Sequence, residues 1–252
     1  MKLTIGDDWT ATVTGEPLSI TPRFDFWDLK VSVTTYANVE ERGRFLLDTF
    51  GSHPYLWDTP DELHFDPASR NLVGAEFQIA VGDTDADDWA RVPGTPVVRP
   101  GGLRADEARD FHLEVTTELC RAPADGELTC LRDLDVLDDP LEARIGIAPG
   151  VALLVQHGTV VGWSLKDPVR YLTTGFTAPT PTPPAAATRL LFTECLDLLT
   201  TPLLDEVRRR DPAALATLRD LHHRLRVQRE DRHRIDALTV KIADLVTDYG
   251  NR

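Results

Sequence analysis

Between Thr177 and Ala186 the chain reads Thr-Ala-Pro-Thr-Pro-Thr-Pro-Pro-Ala-Ala. Prolines at this spacing fix φ and remove backbone donors, so neither a helix nor a central strand can run through the tract. The expected result is a stiff, extended spacer over 177–187. It divides the chain into a first segment, 1–176, and a second, 188–252. The hydrophobic period changes across it, from two residues to that of a helix. The fold class expected is α+β: a β-rich antiparallel N-terminal domain with one inserted helix, the proline-rich spacer, and an α-helical C-terminal segment that packs back onto the sheet.

In the first segment, Leu29, Val31 and Val33 alternate with Lys30, Ser32 and Thr34, as in a strand with one buried face. Residues 62–66 and 72–81 flank Pro67-Ala68-Ser69-Arg70-Asn71 and read as a hairpin with Leu63, Phe65, Phe77 and Ile79 inward. Residues 151–156 and 159–165 are joined by His157-Gly158, a two-residue connection suited to positive φ. A third hairpin is expected to join 111–120 to 128–133 across Pro123-Ala124-Asp125-Gly126. One helix, over 39–50, follows from Asn38 and Glu41 as a capping box, an apolar stripe of Phe45, Leu46, Leu47 and Phe50, and Gly51 at the C′ position. Strand–helix–strand alternation with a glycine-rich phosphate loop is not found, which removes support for a dinucleotide or P-loop site.

After the tract, Leu190, Leu191, Cys195, Leu198 and Leu199 share a helix face; Pro202 suits a new helix start, and Asp211-Pro212 supplies an N-cap with proline at N1. A further stripe runs Leu215, Leu218, Leu221 and Leu225, and a last one Ile235, Leu238, Ile242 and Leu245. That last spacing suits packing against another helix, and oligomerisation through Leu238, Ile242 and Leu245 is one expectation.

Charge separates the two segments. Before position 188 there are 15 basic and 30 acidic residues, and after it 12 and 11, within a net charge of -14. A field of that sign repels polyanions, so nucleic acid is not an expected partner. The arginines of 208–234 are expected to pair with the acidic first domain or to complement helix C-termini. The excess of Arg over Lys, 23 to 4, suggests a GC-rich genome of bacterial type. No run reaches the roughly 20 apolar residues of a membrane helix, and the first eight residues lack the pattern of a signal peptide, so the expected location is cytoplasmic with no membrane partner. Cys120, Cys130 and Cys195 form no CxxC motif. Cys120 and Cys130 oppose each other in one hairpin register and lie on opposite faces in the next, so their pairing stays open.

Candidate sites follow from residue chemistry. His64 with Asp66, and His112 with Glu114, are spaced two apart and would each share one strand face, as a general-base pair or N/O metal ligands would; a solvated face is the plainer reading. Asp83, Asp85, Asp87 and Asp88 resemble the start of a calcium loop, but Asp88 replaces the turn glycine and Gly94 the bidentate glutamate. A solvated acidic loop is therefore expected, and no metal or cofactor is assigned. No Gly-x-Ser-x-Gly elbow marks a nucleophile. Tyr55 and Trp57 beside Asp58, Asp61 and Glu62, together with Trp89 after the acidic loop, suit an interface with a basic protein. The leading expectation is a non-catalytic acidic protein-binding module, of immunity or inhibitor type, that neutralises a basic partner. The alternatives are an enzyme using His64, Asp66, His112 and Glu114, with or without a divalent metal, and a scaffold assembled through the C-terminal helices.

Overall fold

A computed structural model describes residues 1–6, 9–52, 61–81 and 91–250 of the chain. The strands, in chain order, are β1 (Lys2–Gly6), β2 (Trp9–Thr14), β3 (Arg23–Asp25), β4 (Lys30–Val33), β5 (Phe50–Gly51), β6 (Glu62–Phe65), β7 (Leu72–Gln78) and β8 (Arg99–Pro100). There follow β9 (Gly102–Ala105), β10 (Glu118–Arg121), β11 (Glu127–Leu131), β12 (Ala143–Ala148), β13 (Val151–Gln156), β14 (Thr159–Lys166) and β15 (Leu172–Thr173). The helices are α1 (Val39–Asp48), α2 (Ala186–Leu199), α3 (Leu203–Arg208), α4 (Pro212–Val227) and α5 (Arg232–Leu245). The protein is α+β.

Nine strands form one sheet in the order β8-β12-β13-β14-β1-β2-β9, with β11 also on β14 and β10 on β11; six form a second, β15-β3-β4-β7-β6-β5. Most pairings are antiparallel, but β1 joins β14, β8 joins β12 and β15 joins β3 in parallel. The sheets pack face to face. Trp163 of the larger sheet stacks on Phe77 of the smaller at 4.9 Å, and Trp9 meets Phe65 at 5.1 Å and stacks on Phe111 at 4.0 Å. Such ring pairs contribute about 0.5–1.5 kcal/mol beyond the area they bury.

The expected hairpins form. β6 and β7 pair with Leu63, Phe65, Phe77 and Ile79 buried. β13 and β14 turn through His157 and Gly158 at φ 50° and 75°, the conformation that twists a hairpin in the native sense. The third is shorter than expected: β10 starts at Glu118, and 112–117 is irregular. Phe111 bridges to Ser52, and the next backbone carbonyl, on His112, presses against Gly6, where a Cβ would lie 2.1 Å from it. The chain is drawn across to the core before it can join β11. Register then settles the cysteines: Cys120 opposes Thr129 while Leu119 opposes Cys130, so the two thiols face opposite ways, and all three cysteines are buried and outside any disulfide.

Helix α1 begins as expected. The Asn38 side chain accepts from the Glu41 N–H, and the Glu41 carboxylate accepts from the Ala37 N–H. Its far end differs. The helix stops at Asp48, and Gly51 lies in β5, where a Cβ would sit 1.9 Å from the Leu63 carbonyl oxygen. Gly51 is there for close strand approach, not for a helix cap. None of α1 is fully buried and Leu47 is 87% exposed, so the anticipated apolar stripe seats the helix only in part, through Phe45 against Tyr36 and His64.

The C-terminal helices pack onto the sheets. Phe192 of α2 meets Phe24 and Phe26 edge-on at 6.1 and 5.8 Å. Asp211 caps α4 by accepting from the Ala213 and Ala214 N–H groups. Leu215, Leu218, Leu221 and Leu225 are buried, as are Ile235, Leu238 and Ile242 of α5. Leu238 and Ile242 are thus spent on the chain's own core with Leu245 packed beside them, which corrects the expectation that this stripe faces a second copy. The proline tract is fastened as well. Arg234, fully buried, donates to the Thr180 and Thr182 carbonyls at 2.8 and 2.7 Å and pairs with Asp231 at 2.7 Å.

Candidate functional site

Alternation and register create a polar row on the outer face of the smaller sheet. Ser32, Glu76 and Glu62 stand in line across β4, β7 and β6, so their side chains share the face opposite the core. Helix α1 covers that face and supplies Arg42, which donates to Glu76 at 3.3 and 3.1 Å and lies 3.6 Å from Glu62; Lys30 pairs with Glu76. His64 is 1% exposed, with Nε2 3.1 Å from Glu62 and its ring edge-on to Phe45 at 5.2 Å. Burial works to raise the Glu62 carboxyl, but the hydrogen bond from His64 with Lys30 and Arg42 outweighs it and leaves the group below its ordinary range. This network fastens a helix that buries little apolar surface. Buried charges of this kind are stable only as a fully paired set.

The four residues considered as a reaction centre do not converge. Register shifts between His64 and Phe65, and β6 ends there, so Asp66 leaves the sheet. Asp66 instead caps the following turn, accepting from the Ala68 and Ser69 N–H groups and the Ser69 hydroxyl, and the Ser69 contacts hold its carboxyl below the ordinary value. His112 lies in the irregular segment against Gly6. Glu114 is exposed and pairs with Arg132 at 2.9 Å. Among the described residues, no group of three or more His, Cys, Asp or Glu side chains is placed to hold a metal ion.

Asp61 and Glu62, expected on an outward-facing acidic surface, are both buried. Glu62 faces α1, and Asp61, on the opposite side, faces the interface between the sheets. Asp61 is 4% exposed; its carboxylate accepts from the Gln78 N–H at 2.9 Å and the Thr116 hydroxyl at 3.4 Å. Burial pushes its pKa up to about 7. It borders a cavity of about 10 Å³ shared with Leu63, Phe77, Thr116, Arg132 and Trp163, room for about one water. The buried indole nitrogen of Trp163 makes no full hydrogen bond, but its approach to Asp61 tempers that rise. Arg132, its own pKa lowered by burial, donates to the Ile5 carbonyl at 2.7 Å.

The other residues expected to meet a partner, Tyr55, Trp57, Asp58, Asp83, Asp85, Asp87, Asp88 and Trp89, lie outside the described residues. A different acidic surface is well placed. Between β11 and β12, Asp133, Asp135, Asp138, Asp139 and Glu142 are all exposed. Val136 and Leu141 of the same segment are buried on Leu131, Leu154 and Cys120. Gln156 donates to the Val136 and Asp139 carbonyls at 3.1 and 2.9 Å, and Asp133 caps the short 3₁₀ turn through the Val136 N–H. The acids are therefore carried on a seated loop. Its signal is legible as alternating acids and apolars in Asp133-Leu134-Asp135-Val136-Leu137-Asp138-Asp139, yet sequence alone does not say that the apolar members anchor it.

Many arginines of the chain pair internally. Arg121 bonds Asp125 at 2.7 and 3.0 Å and Asp197 at 2.8 Å; Arg189 bonds Asp167 at 2.6 Å; Arg224 pairs with Glu194, which pushes the guanidinium pKa further up, and with Asp220. Two of these links tie the helices to the larger sheet and the turn that follows it. No helix among the described residues is long and apolar enough to cross a membrane. Comparison with protein families, with curated proteins and with solved structures finds no match.

Proposed function

We propose that this chain is a non-catalytic acidic binding protein that captures a basic protein partner, in the manner of an immunity or inhibitor-type protein. The observation that carries the reading is the loop from Asp133 to Glu142, whose five exposed carboxylates ride on a buried apolar anchor. Arg91 and His157 touch its rim, at Asp138 and Asp139, at 3.4 and 3.7 Å. Exposed pairs of that kind contribute little, so the field of the loop stays available to a partner. A negative surface steers a positive one during encounter and discriminates by charge. A rigid mount lowers the ordering cost of binding. The scattering of His64, Asp66, His112 and Glu114 favours this reading over a reaction centre built from those four.

The experiment compares the protein with an Asp135→Asn/Asp138→Asn/Asp139→Asn variant, both immobilised and offered the same extract across a salt series. The expected result is a basic protein held at low salt, released as screening shortens to below about 10 Å, and retained poorly by the variant. Capture equal for both proteins, or indifferent to salt, would reject the proposal.

A further inference from the structure

The outer face of the larger sheet holds a cleft of about 410 Å³, within the range of about 300–1,000 Å³ that small-molecule sites occupy. Its hollow arises from small residues. Gly146 opposes Ala152, and Ala152 opposes Ser164, across β12, β13 and β14, while Ile145, Leu153 and Trp163 fill the core on the other side. Val97, 81% exposed, and Val98 form an apolar wall. A Cβ on Gly146 would come 2.9 Å from Val98 Cγ1, so the wall is closely fitted to β12 beside the cleft.

The charges in the cleft do not cancel. Glu127 stands opposite Lys166 in the β11–β14 ladder, where a cross-strand pair would be expected. Its carboxylate is instead taken by Arg144, which is buried and also donates to Ser164 Oγ and the Gly94 carbonyl, each at 3.3 Å. Arg144 Nε is a buried donor without a partner. Lys166 is left exposed at the rim. With Arg144 and Glu127 neutralising each other, the cleft's lining among the described residues carries one positive charge on a chain whose net charge is -14.

We propose that this cleft binds a small organic carboxylate, its anionic group at Lys166 and its apolar body against Val97, Val98 and Ala152. One surplus cation selects a monoanion over a neutral or cationic analogue, and the apolar wall selects against inorganic anions, which have no body to bury. Glu127 and Arg144 flank the acidic loop in sequence, but none of its carboxylates lines the cleft, and the cleft stands or falls independently of the protein-binding reading.

The test is a titration of the ¹⁵N-labelled full chain at pH 7 with hexanoate, hexan-1-ol and hexylamine in parallel. Hexanoate is expected to give saturable shifts at the amides of Val97, Val98, Ala152 and Lys166, and the other two compounds none. Lys166→Gln should weaken hexanoate binding about tenfold with an unchanged melting temperature, and Lys166→Arg should restore most of it. Val97→Asp, at an exposed position that tolerates exchange, should abolish binding by placing a like charge in the wall. Equal binding of hexan-1-ol, undiminished binding by Lys166→Gln, or no saturable shift at those amides would overturn the proposal.

Discussion

Replacing Asp61 with asparagine should make the protein more stable at neutral pH, and by an amount that grows with pH. In the unfolded chain this carboxyl ionises at the ordinary value of 3.8, whereas the fold holds its proton up to about 7 because burial penalises the anion. Below 3.8 the group is protonated in both states, and the stability it contributes is fully present. As pH climbs towards 7 the unfolded chain has already released the proton and the folded chain has not. Stability then falls by about 1.4 kcal/mol per pH unit, for a total of roughly 4 kcal/mol once the folded group ionises. The amide introduced by Asp61→Asn does not titrate, and its oxygen can still accept the Gln78 N–H that Asp61 accepts at 2.9 Å. Urea unfolding of both proteins at pH 4, 5, 6, 7 and 8 isolates the effect, since every other carboxylate is common to the two. The variant-minus-native difference should shift in favour of the variant by roughly 2–4 kcal/mol across that range. A difference that is flat with pH, or that moves against the variant, would refute the account of Asp61 as a buried, proton-retaining acid.

Arg234→Met should cost roughly 3–5 kcal/mol by stranding Asp231 and two carbonyls, and limited proteolysis should then cut within 177–187, where the native chain resists. Gly162→Ala places a Cβ 2.2 Å from the Cys130 carbonyl oxygen, between paired strands that cannot part, so chemical denaturation should show a loss of at least about 1–3 kcal/mol. The three thiols are buried, and burial pushes those of Cys130 and Cys195 well above their ordinary value. A thiol reagent at pH 8 should therefore find none in the native protein and all three in urea.

Local signals are legible where a few neighbouring residues suffice. Asn38 and Glu41 start a helix, His157-Gly158 turns a hairpin, and Asp211-Pro212 opens α4, because each rests on backbone geometry and hydrogen bonds within about four residues. The candidate site is less legible. After Asp61, the residues Glu62 to Phe65 alternate polar and apolar, which is correct for a strand, but alternation says only that two faces differ. All five are buried because the core covers one face while α1 and neighbouring segments cover the other. The carboxylates expected on a surface are for that reason inside, while the seated loop from Asp133 to Glu142 carries exposed ones.

What the sequence determined by itself is the class of each segment: strands before the proline tract, helices after it, and a surplus of acid in the first part. These follow from periodicity, turn residues and charge, all local or additive quantities. Tertiary structure alone decided which polar side chains face water and which cations are left over. Arg144 takes the carboxylate that register offers to Lys166, and Arg234 reaches carbonyls 54 and 52 residues away. Such choices depend on packing between distant segments, where desolvation makes one partner far better than another, and no spacing along the chain encodes them.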